Sequence, residues 1–199
     1  GVQIARAQVN EQRYSLRRAL FGLGPTGFPF ERYLAELFVA EGYEVKVGGY
    51  LHGKCVRHEI DIAAYRADHA FVAEAKFHSR PDIKSDLQTV MYAHARELDL
   101  VGKYICADDT CGINDFFVVT NTKFTTHARR YAACVSLKLL SWDFPVRNTL
   151  YDRIRQHRLY PITVLQELTK SQKQQLISKH ILLCRDVLEA PRVLTRLKL

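Results

Sequence analysis

No stretch of this sequence approaches the roughly 20 consecutive apolar residues that a helix needs to cross a bilayer. The N-terminus also lacks the apolar core of a secretory leader. A membrane partner is therefore not expected, and a cytoplasmic location is. Internal repeats and low-complexity tracts are absent, which excludes solenoids and disordered tails. The five cysteines are odd in number and irregularly spaced, which excludes a disulfide-framed miniprotein. Cys106 and Cys111 form one C-x₄-C pair beside Asp108 and Asp109, but a structural zinc site needs four ligands. Cys55, Cys134 and Cys184 supply no second pair at ligand spacing, so free thiols are expected. Acidic residues are in short supply: 21 Asp and Glu stand against 29 Lys and Arg, a net charge of +8. An excess of that size attracts polyanions, of which nucleic acid is the commonest.

What remains is an ordinary folded chain of 199 residues, 47% hydrophobic and 25% charged. It opens on Gly1 rather than Met, so a processed chain is expected. Residues 2–21 read as a polar helix with a sparse apolar stripe (Val9, Leu16, Leu20), ended by the glycines and proline at 22–27. A second helix starts near Pro29 and runs to about Ala40; Phe30, Tyr33, Leu34, Leu37 and Phe38 bury one face, and Gly42 ends it. Three strands are predicted at residues 43–50, 57–66 and 70–77. Pro81 then breaks the chain, and residues 82–100 read as a long helix with Ile83, Leu87, Val90, Met91 and Ala95 on one side. The continuous apolar run at 116–120 predicts a strand buried on both faces. Thr125 or Thr126 can cap a helix to about Val135, and residues 138–142 predict a last strand. After Pro145 only short helices are predicted, at 149–157, 162–168, 170–179 and 184–189. The expected fold is α/β, with the order αβββαβαβ, a mixed central sheet flanked by helices, and a small C-terminal helical appendage. The divisions are 1–27 for the N-terminal helix and linker, 28–145 for the core and 146–199 for the appendage.

The second and third strands carry the chemistry, in HEIDIAA at 58–64 and FVAEAKFH at 71–78. Side chains alternate across a strand, so Glu59 and Asp61 share one face, as do Val72, Glu74, Lys76 and His78. A short turn makes the two strands antiparallel neighbours, and Asp61, Glu74 and Lys76 can converge on one side of the hairpin. Two carboxylates and an ammonium at a strand centre are costly unless something rewards them. Mg²⁺ would: it takes oxygen ligands, keeps several waters and needs only one or two carboxylates plus substrate phosphate. The carbonyl of Ala73 or Ala75 can add a ligand. Lys76 would then orient the attacking water or help deprotonate it. The set has no Ser or Cys nucleophile with a base and no Gly-rich phosphate loop. The competing reading is a hairpin whose polar face is simply wet.

With Phe30-Glu31 on the early helix, Gly42 after it, Asp61 on the second strand and Glu74-Ala75-Lys76 on the third, the sequence resembles the PD-(D/E)xK nuclease superfamily, in detail the Mrr-type restriction endonuclease catalytic domain. The resemblance covers about residues 28–143. It implies a restriction-endonuclease-like fold in which Asp61 and Glu74 hold metal, the Ala75 carbonyl adding to them. Lys76 would work with the attacking water, and Glu31 would add an outer carboxylate. The residues before Asp61 are Val56-Arg57-His58-Glu59-Ile60 and not a Gly-Ile-Asp, so Glu59 would replace or supplement a neighbouring role. Residues 13–27 resemble the junction that follows an ATP-cone domain. Such a domain is therefore expected upstream in the full-length protein, and ATP binding by these 199 residues is not implied.

The resulting expectation is a Mg²⁺-dependent DNA endonuclease, with Mn²⁺ as an alternative metal, acting in restriction and defence or in DNA processing. The alternatives are a non-catalytic DNA-binding or regulatory module on a nuclease fold, and a nuclease for RNA or branched DNA. Cutting both strands takes two active sites, so a homodimer is expected. Glu59, His78, Gln88 and Tyr92 are candidate substrate contacts, with ordinary helix surface the equal alternative for Gln88 and Tyr92. Asn121-Thr122-Lys123 closes the buried strand at an end where ligands often bind in α/β sheets, or simply leads into a helix cap. Residues 162–189 look like a degenerate helix–hairpin–helix without the glycine that presents backbone N–H groups to phosphate, so packing is at least as good a reading of the tail.

Overall fold

A computed structural model of the protein describes residues 2–106 and 110–189, with side chains from residue 11 onward. Val9, Asp108 and Asp109 lie outside the described side chains. In chain order the elements are α1 (Val2–Phe21), α2 (Phe28–Ala40), β1 (Glu44–Val47), β2 (Tyr50–His52), β3 (Arg57–Glu59), β4 (Ile62–Arg66), β5 (His69–Lys76), β6 (Lys84–Ser85), α3 (Leu87–Leu100), β7 (Asp115–Thr120), β8 (Lys123–Phe124), α4 (Thr126–Val135), β9 (Lys138–Leu140), α5 (Leu150–Gln156), a 3₁₀ turn (Ile162–Val164), α6 (Lys170–Ser178) and α7 (Cys184–Glu189). Among the described residues no helix is long and apolar enough to cross a membrane.

Five strands form the central sheet in the order β1-β4-β5-β7-β9. The pairs β1–β4 and β4–β5 are antiparallel, whereas β5–β7 and β7–β9 are parallel. With α2 before it and α3 and α4 as crossovers, the order αβββαβαβ and the mixed sheet flanked by helices match the expectation. Period-two alternation along β5 sends Phe71 and Ala73 to one face and Ala70 and Val72 to the other. The first face packs on α1, α2 and the C-terminal helices through Leu20, Phe30, Leu34, Leu37 and Phe38. The second packs on α3 and α4 through Val90, Ala93, Ala128 and Ala132.

The C-terminal helices predicted at 149–157, 170–179 and 184–189 form close to those bounds, whereas the one predicted at 162–168 is only the 3₁₀ turn Ile162–Val164, because the backbone turns extended at Leu165; together these elements complete the first core. Leu150, Ile154, Leu176 and Leu183 are buried in the same cluster as Leu20 and Phe71. The Tyr33 hydroxyl donates to the Leu159 carbonyl at 2.6 Å, and the Thr163 hydroxyl to the Ala19 carbonyl at 2.6 Å. Gln174 Nε2 donates to the carbonyls of Gly22 and Gly24. The tail therefore fills the helical layer on one side of the sheet, in keeping with its packing reading.

Four further expectations need correction. The strand predicted at 43–50 ends at Val47, because Gly48 and Gly49 have φ of +73° and +114°, a conformation that L side chains rarely adopt. Tyr50–His52 then pairs with Arg57–Glu59 as a separate two-stranded ribbon. The strand predicted at 57–66 is likewise two strands, broken at Ile60 and Asp61, so Glu59 and Asp61 do not lie on one continuous strand face. The helix predicted from residue 82 begins at Leu87. Lys84–Ser85 instead pairs in parallel with Lys123–Phe124, and Asp86 caps the helix by accepting the Thr89 N–H at 3.0 Å. Its buried stripe is Val90, Ala93, Arg96 and Leu100, while Ile83, Met91 and Ala95 are exposed. Finally, Cys106 and Cys111 are joined in a disulfide with Cα atoms 5.5 Å apart, against the expectation of free thiols. The antiparallel bridge between Tyr104 and Gly112 folds this loop back on itself and brings the two sulfurs together. Cys55, Cys134 and Cys184 are free.

Candidate active site

The site forms where β4 starts late. Ile62 pairs with Ala73, so the next positions along β5 have no β4 residue beside them. Asp61 fills that gap: its Oδ2 accepts the Ala75 N–H at 2.8 Å. The backbone of Asp61 is fixed as well, its carbonyl accepting the Gly48 N–H at 2.8 Å. In an extended strand the N–H and C=O of one residue point to the same edge, so the Ala75 carbonyl faces the same gap. The local break that the sequence reading missed is thus what brings a carboxylate against β5.

Glu74 follows Val72 on the face of the sheet that packs against α3, and it is buried. Lys76 Nζ donates to Glu74 Oε1 at 2.6 Å. Arg96, one of the four buried residues of α3, donates to Glu74 Oε2 and, with its other terminal nitrogen, to the Glu59 carbonyl. This arginine ties α3 to β5 and to the ribbon at once, and the sequence reading did not find it. The available signal was its place in the stripe Val90, Ala93, Arg96, Leu100, at helical spacing. Lys76 itself is about one-third exposed (35%), so its ammonium reaches the surface while Glu74 does not.

Glu31 approaches from α2. Burial raises its pKa above the ordinary glutamate value, with Asp61, Glu74 and Glu59 raising it further and Lys76 opposing them. Asp61 behaves alike. Burial comes first in raising its pKa and the Glu74 charge second, against the Ala75 N–H, Lys76 and Arg96. Glu31 therefore feels the charges of Asp61, Glu74 and Glu59, and Asp61 feels that of Glu74. Glu59 joins them through space from the end of the ribbon, and its side chain is exposed.

The remaining candidates divide. His78 sits at the end of the site, its ring nitrogen Nε2 3.0 Å from the Ser85 hydroxyl. Burial and then Lys76 lower its pKa, with Asp86 opposing, which favours the neutral ring at pH 7. The fully buried Asn121 accepts the His78 N–H and donates to the His78 carbonyl, both at 2.8 Å. Its amide thereby substitutes for a strand neighbour and fixes the chain just beyond Lys76. Tyr92 lies one turn before Arg96, whose guanidinium is 5.7 Å from the Tyr92 ring centroid, and it borders the site from an exposed position. Gln88 is exposed on the first turn of α3, and no hydrogen bond links it to the cluster among the described residues.

The donor set suits a hard divalent cation. Asp61, Glu74 and the Ala75 carbonyl are oxygen donors around one gap, and the mutual repulsion of the carboxylates is what a cation relieves. Among the described residues no group of three or more His, Cys, Asp or Glu forms a cage. A cation sharing Glu74 would compete with Lys76 or Arg96 for its oxygens.

Residues 25–143 match the family model Mrr_cat, restriction endonuclease, and residues 160–199 match AF1548-like, C-terminal. The chain is 34% identical over 157 residues to an uncharacterized protein of Archaeoglobus fulgidus, covering 79% of this chain and 84% of the relative. Among solved structures it is similar to the crystal structure of the protein of unknown function AF1548, with a TM-score of 0.69 and 32% identity over 83% of this chain and 84% of that one. It is more distantly similar to the DNA modification-dependent restriction endonuclease AspBHI, with a TM-score of 0.48 and 11% identity over 85% of this chain and 39% of that one.

Proposed function

Because the chain belongs to the Mrr_cat restriction endonuclease family, we propose that it is a divalent-metal-dependent nuclease that hydrolyses phosphodiester bonds in DNA. One observation carries the reading. Asp61 accepts the Ala75 N–H at 2.8 Å while Lys76 stands 2.6 Å from Glu74, so a carboxylate from the break before β4 meets the carboxylate and ammonium at the end of β5. Asp61, Glu74 and the Ala75 carbonyl would hold Mg²⁺ or Mn²⁺, which supplies a Lewis acid for the phosphoryl oxygen and the nucleophilic water. As an ammonium Lys76 would orient the attacking water and stabilise the phosphorane, or as the free amine it would take the water's proton; the water–phosphorus bond forms, the ester bond breaks, and the leaving oxygen takes a proton from solvent. Glu31 adds an outer carboxylate. Arg96 holds Glu74 in place, and Asn121 holds the strand end that carries Lys76. The +8 charge of the chain supports a polyanionic substrate.

The test is a panel of plain, methylated, single-stranded and branched DNA, with RNA beside it, incubated with Mg²⁺, Mn²⁺ or a chelator. Metal-dependent cutting of at least one DNA, abolished by the chelator and by Asp61→Ala, is the expected result. Cutting of RNA alone would move the substrate class, and no cutting of any member would return the chain to the non-catalytic reading.

A further inference from the structure

A concavity lies close to the end of the candidate active site. It is a cleft of about 950 Å³ between α1 and residues 163–174, and its rim reaches Ser79, close beyond Lys76 in the chain. Gly24 makes the join: a Cβ there would meet the Phe77 ring at 2.8 Å, so the cleft wall and the continuation of β5 are in contact. Gln174 fastens the opposite wall through its hydrogen bonds to the Gly22 and Gly24 carbonyls. The cleft is therefore a fixed feature of the helical layer.

Its lining is positive. Arg18, Lys170 and Lys173 face one carboxylate, Glu11. None of these three cations forms an ion pair among the described residues, whereas Arg96, Arg153 and Arg185 each hold a glutamate. Lys170 and Lys173 also open α6, where the helix dipole disfavours positive charge. The fold gains nothing visible from that arrangement, but an anion in the cleft would. Tyr14 stands on the α1 wall with Arg18, with 70% of its surface exposed.

We propose that this cleft holds a single-stranded segment of the nucleic acid as it leaves the cutting site. Its phosphates would face Arg18, Lys170 and Lys173, and one base would stack on Tyr14. The proposal rests on the reading of Asp61, Glu74 and Lys76 as that cutting site. A cationic groove with an aromatic platform is how proteins hold single strands without reading sequence. The volume is at the upper end of the range for small-ligand sites, about 300–1,000 Å³, and suits a few nucleotides of one strand.

The experiment compares fluorescence anisotropy of a blunt duplex with that of the same duplex carrying a single-stranded tail at either end, in EDTA so that nothing is cut. The readout is the ratio of the two affinities, taken for the wild type, for the Lys170→Glu/Lys173→Glu double variant and for Tyr14→Ala. All three positions lie on the surface, and a thermal melt verifies that the fold is kept. The wild type should bind the tailed duplex more tightly. The double variant should lose that gain, and its salt slope on the tailed duplex should fall by about 1–2. Tyr14→Ala should cut the gain roughly tenfold, the effect of losing one base–aromatic stack. A tail that adds nothing to wild-type affinity, or a gain that survives in the double variant, overturns the cleft. If the wild type also cuts a blunt duplex with Mg²⁺, the cutting site stands and the cleft alone falls. A cleft-dependent gain in a protein that cuts no member of the substrate panel keeps the cleft and sinks the cutting site.

Discussion

Phe71 and Glu74 stand three residues apart on β5, on opposite faces of the sheet, and both are buried. Phe71 sits among rings: Phe38 and Phe117 at 4.9 Å and Tyr43 at 5.0 Å between centroids. Glu74 sits among charges, held by Lys76 and Arg96 with the Asp61 carboxylate close enough to be felt. The first environment is the usual source of stability, through apolar area removed from water and close packing. The second is a poor one, since the desolvation of a buried ion pair largely cancels its attraction. A strand that is apolar on one face from Phe71 to Ala75, and turns from Val72 to Glu74 and Lys76 on the other, holds the fold with the first face and leaves the end of the second for chemistry.

Substitutions on each face sharpen that contrast. Phe71→Ala should have the largest effect on stability, about 3–5 kcal/mol, because it removes the ring and leaves a cavity that its aromatic neighbours cannot close; urea unfolding at constant m-value measures it. Arg96→Ala should cost about 3 kcal/mol, the lower part of the range for breaking a buried pair, since Lys76 still holds Glu74. The two losses differ in how they can be repaired. Adding Glu74→Gln to Arg96→Ala removes the stranded charge and should recover most of the stability, whereas no change of charge repairs Phe71→Ala. If the Arg96→Ala/Glu74→Gln double variant is less stable than Arg96→Ala, the electrostatic account of this face is wrong.

A smaller effect of opposite sign is expected at Asp61. Its pKa is raised in the fold, by burial first and Glu74 second, so the folded protein binds that proton more tightly than the unfolded chain does. Ionising Asp61 therefore costs stability as the pH rises from the ordinary aspartate value through the raised one, and the full cost stands above both. Asp61→Asn keeps an acceptor for the Ala75 N–H and should stabilise the metal-free protein slightly at pH 7, with the gain vanishing in acid. Mg²⁺ should reverse the order by stabilising the wild type alone. Denaturation curves at both pH values, with and without Mg²⁺, test this. A variant destabilised equally at both would remove Asp61 from the set of strained carboxylates.

The sequence made one half of this contrast plain and hid part of the other. The apolar stripe of α2, the alternation along β5 and the run at β7 each follow from side-chain period, and they lead to the right succession of helices and central-sheet strands along the chain. The convergence of Asp61 with Glu74 and Lys76 was also legible, though for an incomplete reason. A single strand at 57–66 was expected to carry Asp61 beside Glu74, whereas a break at Ile60 and Asp61 lets the carboxylate replace a strand neighbour of Ala75. Alternation cannot register such a break, because it depends on where the partner strand ends. Arg96 was missed because an arginine on a helix ordinarily faces water, and the stripe was drawn through Met91 and Ala95 instead. Asn121 was noted only as the end of a strand. Its two hydrogen bonds to His78 connect residues that lie far apart in the chain, and no local pattern announces them. The pairing of Cys106 with Cys111 was hidden in the same way, by a loop whose ends meet only in three dimensions.

The central claim concerns Lys76, whose ammonium reaches the surface from the charged cluster, and single-turnover cleavage with saturating enzyme tests it most directly. On whichever DNA the substrate panel reveals, Lys76→Ala should bind DNA and Mg²⁺ nearly as the wild type does but cut roughly 10²–10³-fold more slowly, the effect of losing one transition-state charge contact of about 3–4 kcal/mol. Lys76→Arg keeps the charge without the proton-accepting option, so its rate separates the two roles open to the ammonium. A Lys76→Ala protein that cuts at the wild-type rate would contradict the account and leave Glu74 and Lys76 as a structural ion pair on a wet strand end.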